Sequence, residues 1–310
     1  MDFDNQDDIN DFEEEFSPLS VENAEDRLIL MHKDAHFGGN FEQMLLYYAS
    51  EGKGVQEEID LKRIRELASI ENERKIDLSK TLLSDGDRAQ ISKIHNAYVS
   101  LRELYEIENP KTKIPRLLAD LILSEDEDPV SEIDAIAALK DQIVPQLLEL
   151  LNSESMSDPL YPGYGFAPEL AARCLAKIGD KRAIISLFEA IGSKDIYTDE
   201  ASLMGLKAIG EPAKRFLMGV LRGKPLSWDN VRAATALIHF HEDPEVATTA
   251  LNMLFESDTL KNLPLASELL LICEGLKDPL DRERFQQLAL EPAFPKDLKF
   301  DHSYLAKQWV

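Results

Sequence analysis

The sequence predicts an all-α fold. It reads as a right-handed α-solenoid of stacked helical pairs, preceded by an irregular helical N-terminal extension. Three observations carry this. ELAARCLAKIGDKRAIISLFEAIGSKD, residues 169–195, reads as two short amphipathic helices joined by an Ile-Gly-Asp turn. The unit recurs at 201–224 and again at 231–258, with Leu175, Leu206 and Leu237 at a common phase 31 residues apart. Asp180-Lys181, Glu211-Pro212, Asp243-Pro244 and Asp278-Pro279 occupy corresponding turns, where an acid caps the second helix and Pro suits its first turn. Self-similarity at this period marks helical pairs that bury their faces on their neighbours.

Four regions follow in chain order. Residues 1–19 form an acidic arm with too little apolar surface to offset chain entropy, and it is expected to be disordered. Phe3, Ile9, Phe12 and Phe16, spaced among its acids, make it a solubilising tail or a linear binding motif. Residues 20–126 read as irregular helices with a divergent capping repeat. Leu28–Met31 sit on the first helix, and the glycines of the His36–Asn40 loop break it. Asn40 caps FEQMLLYYAS, with Gln43 at the capping-box position. A third helix is expected near 56–75, a turn at Asp85-Gly86-Asp87, a fourth helix near 91–107 ended by Pro110, and a short helix in IPRLLADLIL.

Residues 127–290 carry the repeats, the last being PLASELLLICEGLKDPLDRERFQQLAL. One insertion, 153–168, interrupts them. Its prolines and glycines (Pro159, Pro162, Gly163, Gly165) forbid a helix, while Tyr161, Tyr164 and Phe166 are large. Solenoid insertions fall on one rim and often contact ligands, so these aromatics form a recognition rim or a local cover. Residues 291–310 are expected to cap the last helices through Phe294, Leu298, Phe300, Tyr304 and Trp309.

The 310 residues are 44% hydrophobic and carry a net charge of −24. Such an acidic chain does not suit unassisted binding to a phosphate backbone, but it suits solubility and basic partners. The charge is uneven: residues 1–26 hold eleven acids and no base, whereas 173–232 are +4. Cys174 and Cys273 fall on apolar helix faces and read as buried, reduced thiols. With no signal-like N-terminus and no apolar run of ~20 residues, the expected location is cytoplasmic, away from membranes.

Residues 171–191, AARCLAKIGDKRAIISLFEAI, resemble HEAT repeats of the short bacterial type named after the phycobilisome lyases, with Lys181 where Pro is usual. Ile209-Gly210-Glu211-Pro212 carries the same signature. The resemblance covers 169–258 well and 131–151 and 262–290 less closely. It implies a fold rather than a function, since such repeats serve many unrelated tasks. A deoxyhypusine hydroxylase-like di-iron site would need several His-Glu pairs, and the chain has only His241-Glu242. A HEAT-like DNA glycosylase would need a basic concave surface, and Trp228-Asp229 reads as a helix start instead. A bilin-lyase-like enzyme or enzyme subunit is the competing functional class.

No phosphate loop, nucleophile elbow or Cys-x-x-Cys pair is present. The sequence assigns no catalytic residue, cofactor or metal. His36 with Gly38 and Gly39 reads as a helix C-cap, with a small functional loop as the competing reading. The favoured function is a scaffold or adaptor for a protein partner. Its expected contacts are Tyr161, Tyr164 and Phe166 on the insertion and Arg182, Lys214, Arg215 and Arg222 on or near the second helices.

Overall fold

The structure, a computed structural model, describes residues 24–106 and 113–309; the acidic arm and Pro110 lie outside the described residues. Among the described residues every regular element is a helix, and none is long and apolar enough to cross a membrane. Contacts divide the chain into two compact units. The first is Met1–Ala119 with Leu123–Asp128 and Asp158–Gly165; the second is Asp120–Ile122, Pro129–Ser157 and Phe166–Val310. The insertion is therefore split, with Tyr161 and Tyr164 in the first unit and Phe166 in the second.

The first unit runs α1 (Ala24–His36), α2 (Phe41–Ala49), α3 (Leu61–Arg74), α4 (Leu78–Leu82) and α5 (Asp85–Glu106), followed by α6 (Lys113–Leu123), which has residues in both units. The Asn40 side chain accepts from the Glu42 and Gln43 amides at 2.8 and 3.3 Å, which starts α2. Helix α3 begins later than the periodicity predicts, because Asp60 accepts from the Lys62 amide and sets the first turn there. Asp85-Gly86-Asp87 is the first turn of α5 rather than a loop. Asp87 accepts from the Ser84 amide and hydroxyl while its own amide donates to Ser84 Oγ, so a reciprocal cap overrides the glycine.

Ile29, Met44, Ile64, Leu67 and Ile94 are fully buried between these helices. Ion pairs join α1 to its neighbours. Arg63 grips Asp26 through two 2.7 Å contacts, Arg27 pairs with Asp87, and Lys33 lies 3.3 Å from Glu71. Lys33 is 1% exposed, so this charge is stable only because it is paired. The Arg27 guanidinium holds the Asp87 carboxyl down at about 2.

The second unit continues with α7 (Val130–Ala137), α8 (Val144–Leu151), α9 (Ala167–Ile178), α10 (Ile184–Ala190), α11 (Ile196–Ile209), α12 (Glu211–Leu221), α13 (Trp228–Leu237), α14 (Pro244–Leu254), α15 (Ser257–Lys261), α16 (Leu263–Ile272), α17 (Pro279–Leu288) and α18 (Lys299–Lys307). Helix α9 packs on α7, α8 and α11, and α13 packs on α12 and α16. Leu175, Leu206 and Leu237 are all fully buried. Asp180, Asp243 and Asp278 accept from the Arg182, Glu245 and Leu280 amides at 2.8 to 2.9 Å. Glu211 departs from this pattern. Gly210 holds its cap position without a side-chain bond, and Glu211 sits one residue inside, paired with Lys214 at 2.7 Å.

Gly275 lies so close to the 238–241 turn that a Cβ there would overlap the His241 carbonyl. Cys174 and Cys273 are free, fully buried thiols; burial pushes Cys174 up to about 12 and Cys273 upward as well. In the tail, Phe294 and Leu298 are buried and Trp309 packs edge-on against Phe285, but Phe300 and Tyr304 face outward. The reason is helical phase. His302 and Leu305 share the inward face of α18, buried Leu298 sits just before it, and His302 stacks on Phe285.

Candidate functional site

A cavity of about 380 Å³ opens in the first unit. One face of α5 lines it with His95, Tyr98, Val99 and Arg102, spaced i, i+3, i+4 and i+7. The end of α1 adds His36, and Tyr164 closes it. The His36 ring lies 5.2 Å from Tyr164 and 5.6 Å from Tyr98. The Tyr164 backbone is left-handed (φ +56°), an uncommon state for a residue with a Cβ, between Gly163 (φ +85°) and Gly165 (φ +86°). A Cβ on Gly54 would overlap the Tyr164 ring, and one on Gly52 would overlap Tyr47. The glycines at 52 and 54 therefore make the seats for two tyrosines.

Hydrogen bonds fix the rings. Tyr98 Oη lies 2.9 Å from His36 Nδ1, and Tyr48 Oη lies 2.9 Å from His32 Nδ1. His95 Nε2 donates to the Asp34 carbonyl at 3.0 Å. The Tyr47 and Tyr164 hydroxyls both donate to Glu125, at 3.4 and 3.3 Å. Burial pushes His36 down to about 4, aided by the nearby His95, although the Leu160 carbonyl partly favours the proton. That carbonyl falls short of hydrogen-bond geometry, so His36 Nε2 has no hydrogen-bond partner among the described residues. Burial, with repulsion from His36, takes His32 to about 3. Burial also raises Tyr48, Tyr98 and Tyr164. The result is a neutral aromatic wall beside Arg102, which is exposed and forms no ion pair among the described residues.

The residues singled out in the sequence fall in two settings. Tyr161 is half-buried against the core of the first unit, and Tyr164 lines its cavity. In the second unit, Phe166 precedes α9 and is half-buried. Arg182 pairs with Asp180 and donates to the Asp141 carbonyl at 3.0 Å. Lys214 lies 2.5 Å from Asp243 and 2.7 Å from Glu211. Arg222 reaches Glu245 at 3.1 Å and Thr249 at 2.9 Å. Arg215 has only a 3.8 Å contact with Glu211 and is the most exposed of the four. Three of these cations thus join neighbouring helix pairs.

A groove of about 430 Å³ runs between α9 and α11. Arg173, Ala176 and Lys177 form one wall, and Tyr197, Ala201 and Met204 the other. Tyr197 is 60% exposed, Met204 47%, and Ile196 at the start of α11 74%. The sequence reading placed binding on the second helices of each pair, whereas this groove lies between first helices. Its signal was the unusual run of apolar residues on the outer face of α11.

Among the described residues no group of three or more His, Cys, Asp or Glu side chains is arranged to hold a metal ion. No protein-family model matches the chain, and no curated protein is detectably similar to it.

Proposed function

We propose that this chain is a non-catalytic scaffold or adaptor. In this reading the second unit is a right-handed solenoid of HEAT-like helical pairs that holds a protein partner. The recurring Asp caps and the common buried phase of Leu175, Leu206 and Leu237 support the repeat assignment. One observation carries the binding role: the exposed Ile196, Tyr197 and Met204 beside the groove between α9 and α11. Large apolar side chains at helical spacing beside a groove suit an amphipathic helix of a partner. Glu169, Arg173 and Lys177 on one wall and Glu200 on the other give the groove a charged rim, with Arg173 paired to Glu169 and Lys177 to Asp134.

The test places a photocrosslinking residue at position 204 (Met204, 47% exposed) and, as a control, at the more exposed position 280 (Leu280, 68%). Irradiation in cells that make the chain naturally is expected to give a discrete adduct from 204 and none from 280. Tyr197→Ser with Ile196→Ser should remove the adduct while the helical signal and Tm stay unchanged. Equal labelling at both positions, or no adduct, would overturn the reading.

A further inference from the structure

We propose that the cavity of the first unit binds a small planar aromatic anion, its ring between Tyr98 and Tyr164 and its carboxylate on Arg102. Three independent features lead there. The cavity volume of about 380 Å³ falls within the range of small-molecule sites. Its walls are aromatic and apolar, formed by His36, Tyr98, Val99 and Tyr164. The chain also holds those walls at a conformational cost. A tyrosine takes a left-handed backbone between two left-handed glycines, and Gly54 has no side chain where the Tyr164 ring lies. Backbone strain of this kind gathers at ligand sites.

Charge selects the ligand. Among the described residues Arg102 is the one permanent charge lining the cavity, and no carboxylate lines it. Glu125 accepts from both the Tyr47 and Tyr164 hydroxyls. His36 is held neutral by burial, so it adds ring surface rather than charge. An exposed guanidinium at the edge of an aromatic pocket matches a carboxylate in geometry as well as sign. Size follows from the helix. His95 and Arg102 are seven residues apart on α5, about 10 Å along its axis, room for one or two fused rings and a carboxylate. At the far end, His95 uses Nε2 on the Asp34 carbonyl, so its Nδ1 is the nitrogen left for a donor on the ligand. This site is independent of the partner groove in the second unit.

The experiment titrates the full chain with 2-naphthoate and, separately, with uncharged 2-naphthylmethanol, followed by calorimetry. Saturable one-to-one binding of naphthoate is expected, with the alcohol weaker. Arg102→Gln should weaken naphthoate by about tenfold or more, the loss of a charge-assisted pair, and leave the alcohol unchanged. Tyr164→Ser should weaken both. Near-ultraviolet circular dichroism of the tyrosines verifies that each variant keeps the first unit folded. Naphthoate binding that survives both substitutions, or none at millimolar probe, overturns the proposal. So does equal loss of naphthoate and alcohol in Arg102→Gln.

Discussion

Among the described residues of the first unit the largest wholly buried side chain is a lysine, Lys33, held by Glu71; in the second, Leu175, Leu206 and Leu237, 31 residues apart, are wholly buried. Asp26, Lys33 and Asp87, the buried charged residues among those described, all belong to the first unit. Among the described residues the second unit buries polar groups too, including Thr198, Ser202, Asn230 and His302, but no Asp, Glu, Lys or Arg. Asn230 spends its amide on the Val220, Leu221 and Gly223 carbonyls, ending one helix and starting the next. The contrast follows from geometry. Helices of the second unit meet through apolar faces such as those of Leu175, Leu206 and Leu237, whereas α1 meets its neighbours partly through buried charge pairs.

The comparison is broken most forcefully by removing one charge. Glu71→Gln leaves Lys33 buried with Asp34, 3.7 Å away, as its one remaining ion-pair contact among the described residues, and is expected to cost the first unit about 3–5 kcal/mol. The double replacement Lys33→Met, Glu71→Leu should recover most of that, because it buries no orphaned charge. Six of the eight tyrosines lie in the first unit and both tryptophans in the second, so denaturant curves by tyrosine dichroism and tryptophan fluorescence separate the two. Recovery no better than the single variant would contradict the ionic account.

Leu206→Ala is the corresponding change in the second unit. It should cost about 2–5 kcal/mol through lost burial and a cavity, read by tryptophan fluorescence. A shift below about 0.5 kcal/mol would mean that Leu206 is not in the repeat core.

Acid should separate the units next. His32 and His36 titrate in the folded state at about 3 and about 4, below their ordinary 6.5. Below 6.5 the unfolded chain therefore binds more protons, and stability rises with pH. The stabilisation is complete above about 6.5 and is lost as pH falls from there through the folded values. The slope is at most about 1.4 kcal/mol per pH unit for each ring. Tyrosine dichroism should collapse at a higher pH than tryptophan fluorescence, and His32→Gln should narrow the gap. Coincident acid transitions would count against it.

The smallest effect is expected at Arg215→Ala. Its side chain is 79% exposed, and its contact with Glu211 is long, so stability should change by less than about 0.5 kcal/mol. Lys214→Ala removes a bridge between Glu211 and Asp243 and should cost measurably more. Equal losses in thermal melts would mean that the bridge contributes nothing.

The helices of the second unit were legible because each signal is local: an Asp cap at the helix start and an Ala-Leu face. Glu211 shows the limit, since Gly210 before it was free to take the cap position and leave the acid inside the helix. The cavity was half legible. His36 and Tyr164 stood out singly, one for its glycines and one for its loop, but nothing in the order of residues brings positions 36, 54 and 164 together. Only His95, Tyr98, Val99 and Arg102 share a helix face, and that spacing is the signal in the sequence. Phe300 and Tyr304, expected to cap the last helices, face outward because α18 turns them away from the face that carries His302 and Leu305.

The two wholly enclosed thiols give the second unit built-in clocks. Cys174 sits in α9 and Cys273 at the end of α16, so an alkylating reagent reaches each only when its own part of the helix array opens. If the array opens as a whole, both label at one rate; if it frays pair by pair, the two rates part. Two single-cysteine variants and a mass spectrometer would thus measure how far cooperativity extends along the chain.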